Sequence, residues 1–156
     1  MGKNFLGIDY GERRIGLSSG DELGFASPIP AAVEATPEER FEHVAREIRV
    51  RRITELVVGY PLNMDGTEGR MTARVNDFIA RLEARFGLPV HRVDEGLSSV
   101  EAESGLSGKR KGHGAQARRA HRATGEIDSR AAAVILQDWM NAQGFSMISP
   151  EDFPDR

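Results

Sequence analysis

Acidic side chains occur at three places in the sequence where they could act together. Asp9 follows one short apolar run, Asp94 and Glu95 follow another, and Asp128 opens the last helical pattern. In an open α/β sheet, reactive groups collect at the carboxyl ends of the parallel strands, so these acids are expected to converge. Asp128 also shares the helical stripe that continues through Ala132, which predicts that it faces the sheet.

Three carboxylates brought together without a basic partner repel one another, and a hard divalent cation with oxygen ligands is the usual remedy. The pattern therefore indicates Mg²⁺ or Mn²⁺. Zinc is disfavoured because the chain has no cysteine and its four histidines show no ligand-like pairing. Two such ions roughly 3.5 to 4 Å apart would clamp the attacking and leaving oxygens of a displacement at phosphorus, which is nuclease chemistry.

Each acid also has a simpler interpretation. Asp9 could open a turn, Asp128 could be a helix N-cap, and Asp94 and Glu95 could be solvated loop charges. Taken singly, these interpretations are the stronger ones. The conjunction of three acidic positions with a basic segment favours a metal site.

That basic segment spans residues 109–122, where six basic side chains occur with no acidic one, although the whole chain has 21 basic and 24 acidic groups. Such clusters supply the salt-dependent affinity of nucleic-acid binders, and a solvated loop is the alternative. A secondary phosphate loop is predicted where residues 63–67 enter a helix, with turn chemistry as the alternative. The candidate nucleic-acid-binding residues are Arg13, Arg14, Lys109, Arg110, Lys111, Arg118, Arg119 and Arg122, and the phosphate loop comprises Asn63, Gly66 and Thr67.

Short apolar runs predict the strands that position these residues. Residues 4–19 are typical of an antiparallel hairpin, and residues 25–30 predict a third strand that its prolines restrict to an edge. The run at 53–60 predicts a buried strand of a parallel pair, and residues 90–93 predict a further short strand.

Four stretches carry helix signals. Thr36 is the predicted cap of the first helix, residues 71–86 form the second, Ser98 caps a short third one, and residues 127–141 form the last. A hairpin followed by strands alternating with helices indicates the α/β class, with a mixed sheet flanked by helices.

Length and composition exclude several classes. A chain of 156 residues favours one domain, assigned to residues 1–143 with a C-terminal tail at 144–156. Without cysteine, disulfide scaffolds and thiol nucleophiles are excluded, and no apolar run approaches the roughly 18 residues of a membrane span. The first residues lack the long apolar stretch of a signal peptide, so we expect a cytoplasmic protein with no membrane partner.

Four ordered blocks of the sequence resemble the YqgF/RuvX family, which comprises pre-16S rRNA nucleases and proteins similar to Holliday junction resolvases. The blocks are GIDYGERRIGLS at 7–18, VVGYPLNMDGTEG at 57–69, VDEGLSSVEAE at 93–103 and IDSRAAAVILQDWM at 127–140. The resemblance runs nearly end to end. It implies a ribonuclease H-like fold, in which three antiparallel strands are followed by two parallel ones, and a two-metal phosphodiesterase site.

By motif position, the resemblance implies that Asp9, Glu95 and Asp128 are the catalytic metal ligands, with Asp94 as the alternative to Glu95. It also implies 5′-end processing of pre-16S rRNA, with structured RNA or a pre-ribosomal particle as the partner. The chain departs from the family at Gly96, where an arginine is common. An arginine there could hold the scissile phosphate, so with Gly96 the sequence does not identify which group binds that phosphate.

Three other functions remain open at this stage. A Holliday junction resolvase would apply the same chemistry to branched DNA and usually needs two active sites, but the sequence does not decide between a monomer and a weak homodimer. A phosphate-binding ATPase module shares the D-x-G turn, although 156 residues supply only one of the two domains it needs. A non-catalytic nucleic-acid-binding domain with the same fold is motivated by Gly96.

Overall fold

The computed structural model describes residues 2–61, 69–94 and 125–145. Within these ranges lie five strands and three helices. They are β1 (Asn4–Tyr10), β2 (Ile15–Asp21), β3 (Ser27–Ala32), α1 (Pro37–Val50), β4 (Glu55–Tyr60), α2 (Arg70–Phe86), β5 (Val90–Asp94) and α3 (Glu126–Ala142).

The strands form one mixed sheet in the order β3-β2-β1-β4-β5. The pairs β1–β2 and β2–β3 are antiparallel, whereas β1–β4 and β4–β5 are parallel. This arrangement confirms the predicted α/β class and the predicted sequence of three antiparallel and two parallel strands. The edge strand β3 contains Pro28 and Pro30, which a central strand would not accommodate because proline cannot donate to the ladder.

Local signals define the helix ends. The Thr36 side chain accepts a hydrogen bond from the Glu39 backbone N–H at 3.1 Å and caps α1 as predicted. Helix α2 ends at Gly87, whose φ of 66° is left-handed and therefore suits glycine. The observed α2 and α3 begin and end within one residue of their predicted bounds. The helix predicted from Ser98 lies outside the described residues.

Helices cover both faces of the sheet. Leu6 and Ile8 of β1 belong to the larger core, which includes Val44 of α1 and Ile79 of α2. Phe5 of β1 belongs to a second core on the other face, with Ile135, Leu136 and Met140 of α3. Successive side chains of a strand point to opposite faces. Odd-numbered residues of β1 therefore face α3, and even-numbered ones face α1 and α2.

The chain continues to pack after α3 ends. Phe145, the last described residue, lies 5.5 Å from Phe5 between ring centroids and 6.3 Å from Trp139. The predicted tail therefore contacts the sheet domain at its beginning, and the domain boundary at residue 143 stays a prediction. Among the described helices, none has the length and apolar character needed to cross a bilayer.

Candidate active site

Two of the predicted acids, Asp9 and Asp128, lie next to each other across a glycine. Phe5 and Gly7 contact α3, so alternation along β1 places Asp9 on the same face. Asp9 pairs with Gly16 of β2. A Cβ atom at Gly16 would overlap the carbonyl group of Asp128 and lie 2.9 Å from its Cβ. The first turn of α3 therefore rests on the strand position that faces Asp9.

The structure does not favour the simpler interpretations of these two acids. Asp9 lies inside β1 rather than in a turn, and the N-cap of α3 is Gly125 rather than Asp128. The buried stripe of α3 runs through Ser129 and Ala132. Asp128 adjoins that buried stripe, and its side chain remains 27% exposed. An acid at this position is anchored by its backbone and still open to solvent.

Hydrogen bonds fix the first half of α3 on the sheet. The Ser18 hydroxyl donates to the Ala132 carbonyl oxygen at 2.8 Å. The Ser129 hydroxyl accepts from the Leu17 backbone N–H at 3.2 Å and donates to the Ile29 carbonyl oxygen at 2.7 Å. These bonds satisfy buried polar groups and tie α3 to β2 and β3. The position of Asp128 is therefore set by the sheet.

Arg14 contacts the candidate site directly. Its Nε donates to Asp128 Oδ2 at 2.9 Å, and its side chain is 30% exposed. Arg13 and Arg14, together with Met71 and Asp128, line a cavity of about 280 Å³. Arg14 thus contacts Asp128, and Arg13 is exposed beside the same cavity.

The turn that carries these arginines is held from two helices. Buried Arg40 of α1 donates from Nη2 to the Glu12 carbonyl oxygen at 2.8 Å and from Nη1 to the Glu34 carbonyl oxygen at 2.6 Å. The Glu12 carboxylate lies 2.9 Å from Arg74 Nε and 3.7 Å from Arg70 Nη2, both on α2. The turn is therefore ordered before any ligand arrives.

Asp94, the alternative ligand, ends β5 opposite Tyr60 of β4. The preceding Val93 packs against the core under α3. Alternation therefore puts Asp94 on the face covered by α1 and α2, whereas Asp9 is on the α3 face. Asp9 and Asp94 consequently belong to opposite sides of the sheet.

The remaining predicted site residues lie outside the described ranges. They are Glu95, the phosphate-loop residues Asn63, Gly66 and Thr67, and the basic residues Lys109, Arg110, Lys111, Arg118, Arg119 and Arg122. Among the described residues, no group of three His, Asp or Glu side chains could hold a metal ion. The predicted three-carboxylate site includes Glu95, so these ranges do not test it.

The sequence did not identify Gly16 and Arg40, which help to position the candidate site. A glycine inside a strand is a known signal for close approach of another backbone, and Gly16 could have been identified on that ground. Arg40 adjoins the apolar stripe of α1 and bonds to distant loop carbonyls. No local pattern in the sequence predicts those contacts.

Comparisons with known proteins show which family the chain matches. The chain matches the family RuvX, Holliday junction resolvase, over residues 3–142. A relative from Opitutus terrae, named "Putative pre-16S rRNA nuclease", is 52% identical over 137 residues, covering 87% of this chain and 90% of its own length. A relative of the same name from Syntrophus aciditrophicus is 40% identical over 150 residues, covering 96% and 92%.

Solved structures show the same fold at low sequence identity. T. thermophilus RuvC in complex with a Holliday junction substrate has a TM-score of 0.50 at 19% identity, covering 91% of this chain and 96% of that one. The Fowlpox virus resolvase in complex with Holliday junction DNA has a TM-score of 0.52 at 9% identity, covering 90% and 98%. Both are ribonuclease H-like, which confirms the predicted fold. With a family match over residues 3–142 and relatives that align over most of their own length, the chain belongs to the RuvX family.

Proposed function

We propose that this chain is a metal-dependent nuclease that hydrolyses phosphodiester bonds in the 5′-end processing of pre-16S rRNA. The observation that carries the proposal is the apposition of Asp9 and Asp128 across Gly16. The names of the curated relatives supply the substrate class. A role in rRNA maturation also fits the expected cytoplasmic location and a pre-ribosomal particle as partner.

The residues present fit a hard divalent cation. Asp9 and Asp128 offer carboxylate oxygens, which Mg²⁺ and Mn²⁺ prefer, and the glycine between them lets the two backbones approach closely. The Asp128 side chain is partly exposed, so an ion from solvent can reach it. Two such ions, when bound, would activate the attacking water and stabilise the leaving oxygen of the phosphodiester.

We assign the third carboxylate to Glu95. The support is indirect: Asp94 lies on the sheet face opposite to Asp9. Asp94 would have to cross the sheet to join Asp9 and Asp128. Glu95 is the other acid of the pair in the sequence.

The chain's own cations have separate tasks in this proposal. Arg14 holds Asp128 through Oδ2 and restrains the rotation of that carboxylate. The exposed Arg13 and the basic residues of segment 109–122 bind backbone phosphates, with Asn63, Gly66 and Thr67 as a secondary phosphate loop. Such contacts fix the register of the nucleic acid, whereas the acids carry the chemistry.

The test compares a 5′-extended 16S rRNA precursor, a plain single-stranded RNA and a four-way DNA junction with Mg²⁺ and Mn²⁺. We expect Asp9→Asn, Glu95→Gln and Asp128→Asn each to abolish cleavage of the precursor and to weaken Mn²⁺ binding measured by calorimetry. Asp94→Asn is the matched control and should retain both. Cleavage that survives the first three substitutions would overturn the nuclease assignment.

A Holliday junction resolvase is the second candidate, because the matched family carries that description and the two solved complexes are resolvases bound to junctions. Its signature would be preferential cleavage of the four-way junction by a dimer, since paired cuts need two active sites. Analytical ultracentrifugation at the assay concentration separates the two candidates. A monomer that cleaves the rRNA precursor and spares the junction supports the first.

A further inference from the structure

We propose that Arg70 and Arg74 of α2 extend the candidate active site into a phosphate-binding track for a single nucleic-acid strand. The inference rests on the proposed nuclease function, because nucleic acid is the polyanion that the site would act on. Neither arginine belongs to the basic segment at 109–122 or to the hairpin turn. Both became candidates only through their position in the fold.

The track is continuous with the cavity at Asp128. The Glu12 carboxylate joins Arg74 Nε at 2.9 Å and Arg70 Nη2 at 3.7 Å, and Glu12 itself lines that cavity. Arg13 and Arg14 follow Glu12 in the same turn. Two arginines of α2 thus pair with Glu12, and two more follow it in the turn. The four arginines lie on neighbouring elements beside the candidate site, an arrangement that suits successive phosphates.

The side chains of these arginines differ in exposure. The Arg14 side chain is 30% exposed, that of Arg74 is 47% exposed, and that of Arg70 is 78% exposed. The Glu12 carboxylate is itself 42% exposed, and ion pairs in such positions contribute little to stability. A backbone phosphate can therefore replace Glu12 as the partner of Arg70 and Arg74 at low cost.

The charge at the start of α2 is also the reverse of what helix stability favours. Helix α1 has Glu38 and Glu39 in its first turn, and α3 has Glu126 and Asp128. Helix α2 has no acid in its first turn and begins with Arg70. Cations there oppose the helix macrodipole, so the stability of α2 does not explain them. Their partner in the structure is the Glu12 carboxylate, and in this proposal a backbone phosphate takes its place.

The test measures RNA binding separately from cleavage. The full chain carrying Asp9→Asn, which should leave RNA intact, is titrated against a labelled fragment of the 5′-extended rRNA precursor at several salt concentrations. We expect Arg70→Gln with Arg74→Gln to weaken binding roughly 10- to 30-fold at 0.1 M salt and to reduce the salt slope by about 1.4, as for two lost contacts to a single strand. Lysine at both positions should restore most of the slope.

Arg81→Gln with Arg85→Gln is the matched control. These arginines are also four residues apart on α2 and pair with Glu38 and Glu42 of α1, so the same charge is removed elsewhere on the helix. Their loss should leave the salt slope unchanged. Replacing Glu12 by Gln should tighten binding, because it removes the competing carboxylate.

The track would be refuted if both double variants weakened RNA binding equally. It would also be refuted if Arg70→Gln with Arg74→Gln left the salt dependence of RNA binding unchanged. Thermal unfolding of each variant verifies that the chain is folded. If RNA binding depends on Arg70 and Arg74 but the wild-type protein cleaves no RNA, the nuclease assignment is refuted and the track is supported. If the protein cleaves RNA but its RNA binding does not depend on Arg70 and Arg74, the nuclease assignment stands and the track is refuted.

Discussion

Replacing Gly16 with alanine should displace the first turn of α3 while leaving the Asp128 carboxylate itself unchanged. The substitution therefore tests the position of Asp128 and not its chemistry. The new Cβ would overlap the Asp128 carbonyl group and lie 2.9 Å from the Asp128 Cβ, where 3.4 Å is an ordinary contact. Neither strand β2 nor the backbone of α3 can rotate away as a flexible side chain does. The first turn of α3 must therefore lift by about 1 Å to restore van der Waals separation.

The cost follows from that displacement. Inserting a methyl group into a packed contact typically destabilises a protein by about 1–3 kcal/mol. For a chain of this size, 2 kcal/mol corresponds to a fall in Tm of roughly 4–8 °C. A misplacement of about 1 Å in a catalytic group can reduce the rate on the order of 100-fold. We therefore expect a protein that is folded at 25 °C and almost inactive.

The assay combines urea unfolding with Mn²⁺ calorimetry and cleavage of the 5′-extended rRNA precursor. Gly20→Ala is the control, since Gly20 lies on the same strand and face but its Cβ would meet the Met140 side chain and the Phe25 carbonyl oxygen, both at 3.1 Å, instead of Asp128. It should lose some stability and keep its activity. If Gly16→Ala kept wild-type Mn²⁺ affinity and cleavage rate, the contact between Gly16 and Asp128 would not organise the site.

Three further predictions concern groups around the site and at the far end of the sheet. Arg40→Gln removes two part-buried hydrogen bonds to loop carbonyls and should lower the free energy of unfolding by about 1–3 kcal/mol, measured as a lower urea midpoint at unchanged m-value. Burial favours the neutral form of Glu55, but His91 and Lys3 outweigh it and lower its pKa from 4.5. The stability that Glu55 contributes is thus present above pH 4.5 and lost as the pH falls further, so the difference in Tm between wild type and Glu55→Gln should shrink in acid. Arg14→Gln should show a larger Tm gain on adding Mn²⁺ than wild type, because Arg14 already offsets the Asp128 charge; an equal gain would contradict this role.

The fold was predictable where local signals are strong. Thr36 and Gly87 mark helix ends through capping chemistry that needs no tertiary information. The third strand was predicted at 25–30 and lies at Ser27–Ala32. The displacement arises because Phe25, whose apolar character suggested a strand, is exposed after the turn at Gly24. Exposure of an apolar side chain depends on what packs nearby, which the sequence does not state.

The site was predictable in its parts but not in its geometry. Sequence patterns located Asp9 at a strand end and Asp128 in the first turn of a helix, and the structure brings these two together. The sequence predicted Glu95 as the third acid with Asp94 as its alternative, and because Glu95 lies outside the described residues that choice stays a prediction. The contact of Arg14 with Asp128 joins residues 114 positions apart and has no local signature.

Helix α3, whose first turn carries Asp128, is fixed on the sheet at both of its ends. Hydrogen bonds of the Ser129 hydroxyl, and the bond that the Ala132 carbonyl oxygen accepts from Ser18, tie its first half to β2 and β3. At the other end, the Trp139 ring lies edge-on to Phe5 with centroids 5.1 Å apart. If the first turn moved away from Asp9, it would have to break the hydrogen bonds of Ser129 and Ala132, or the helix would have to tilt about the contact between Trp139 and Phe5. The position of this first turn is therefore held by contacts distributed along the whole helix.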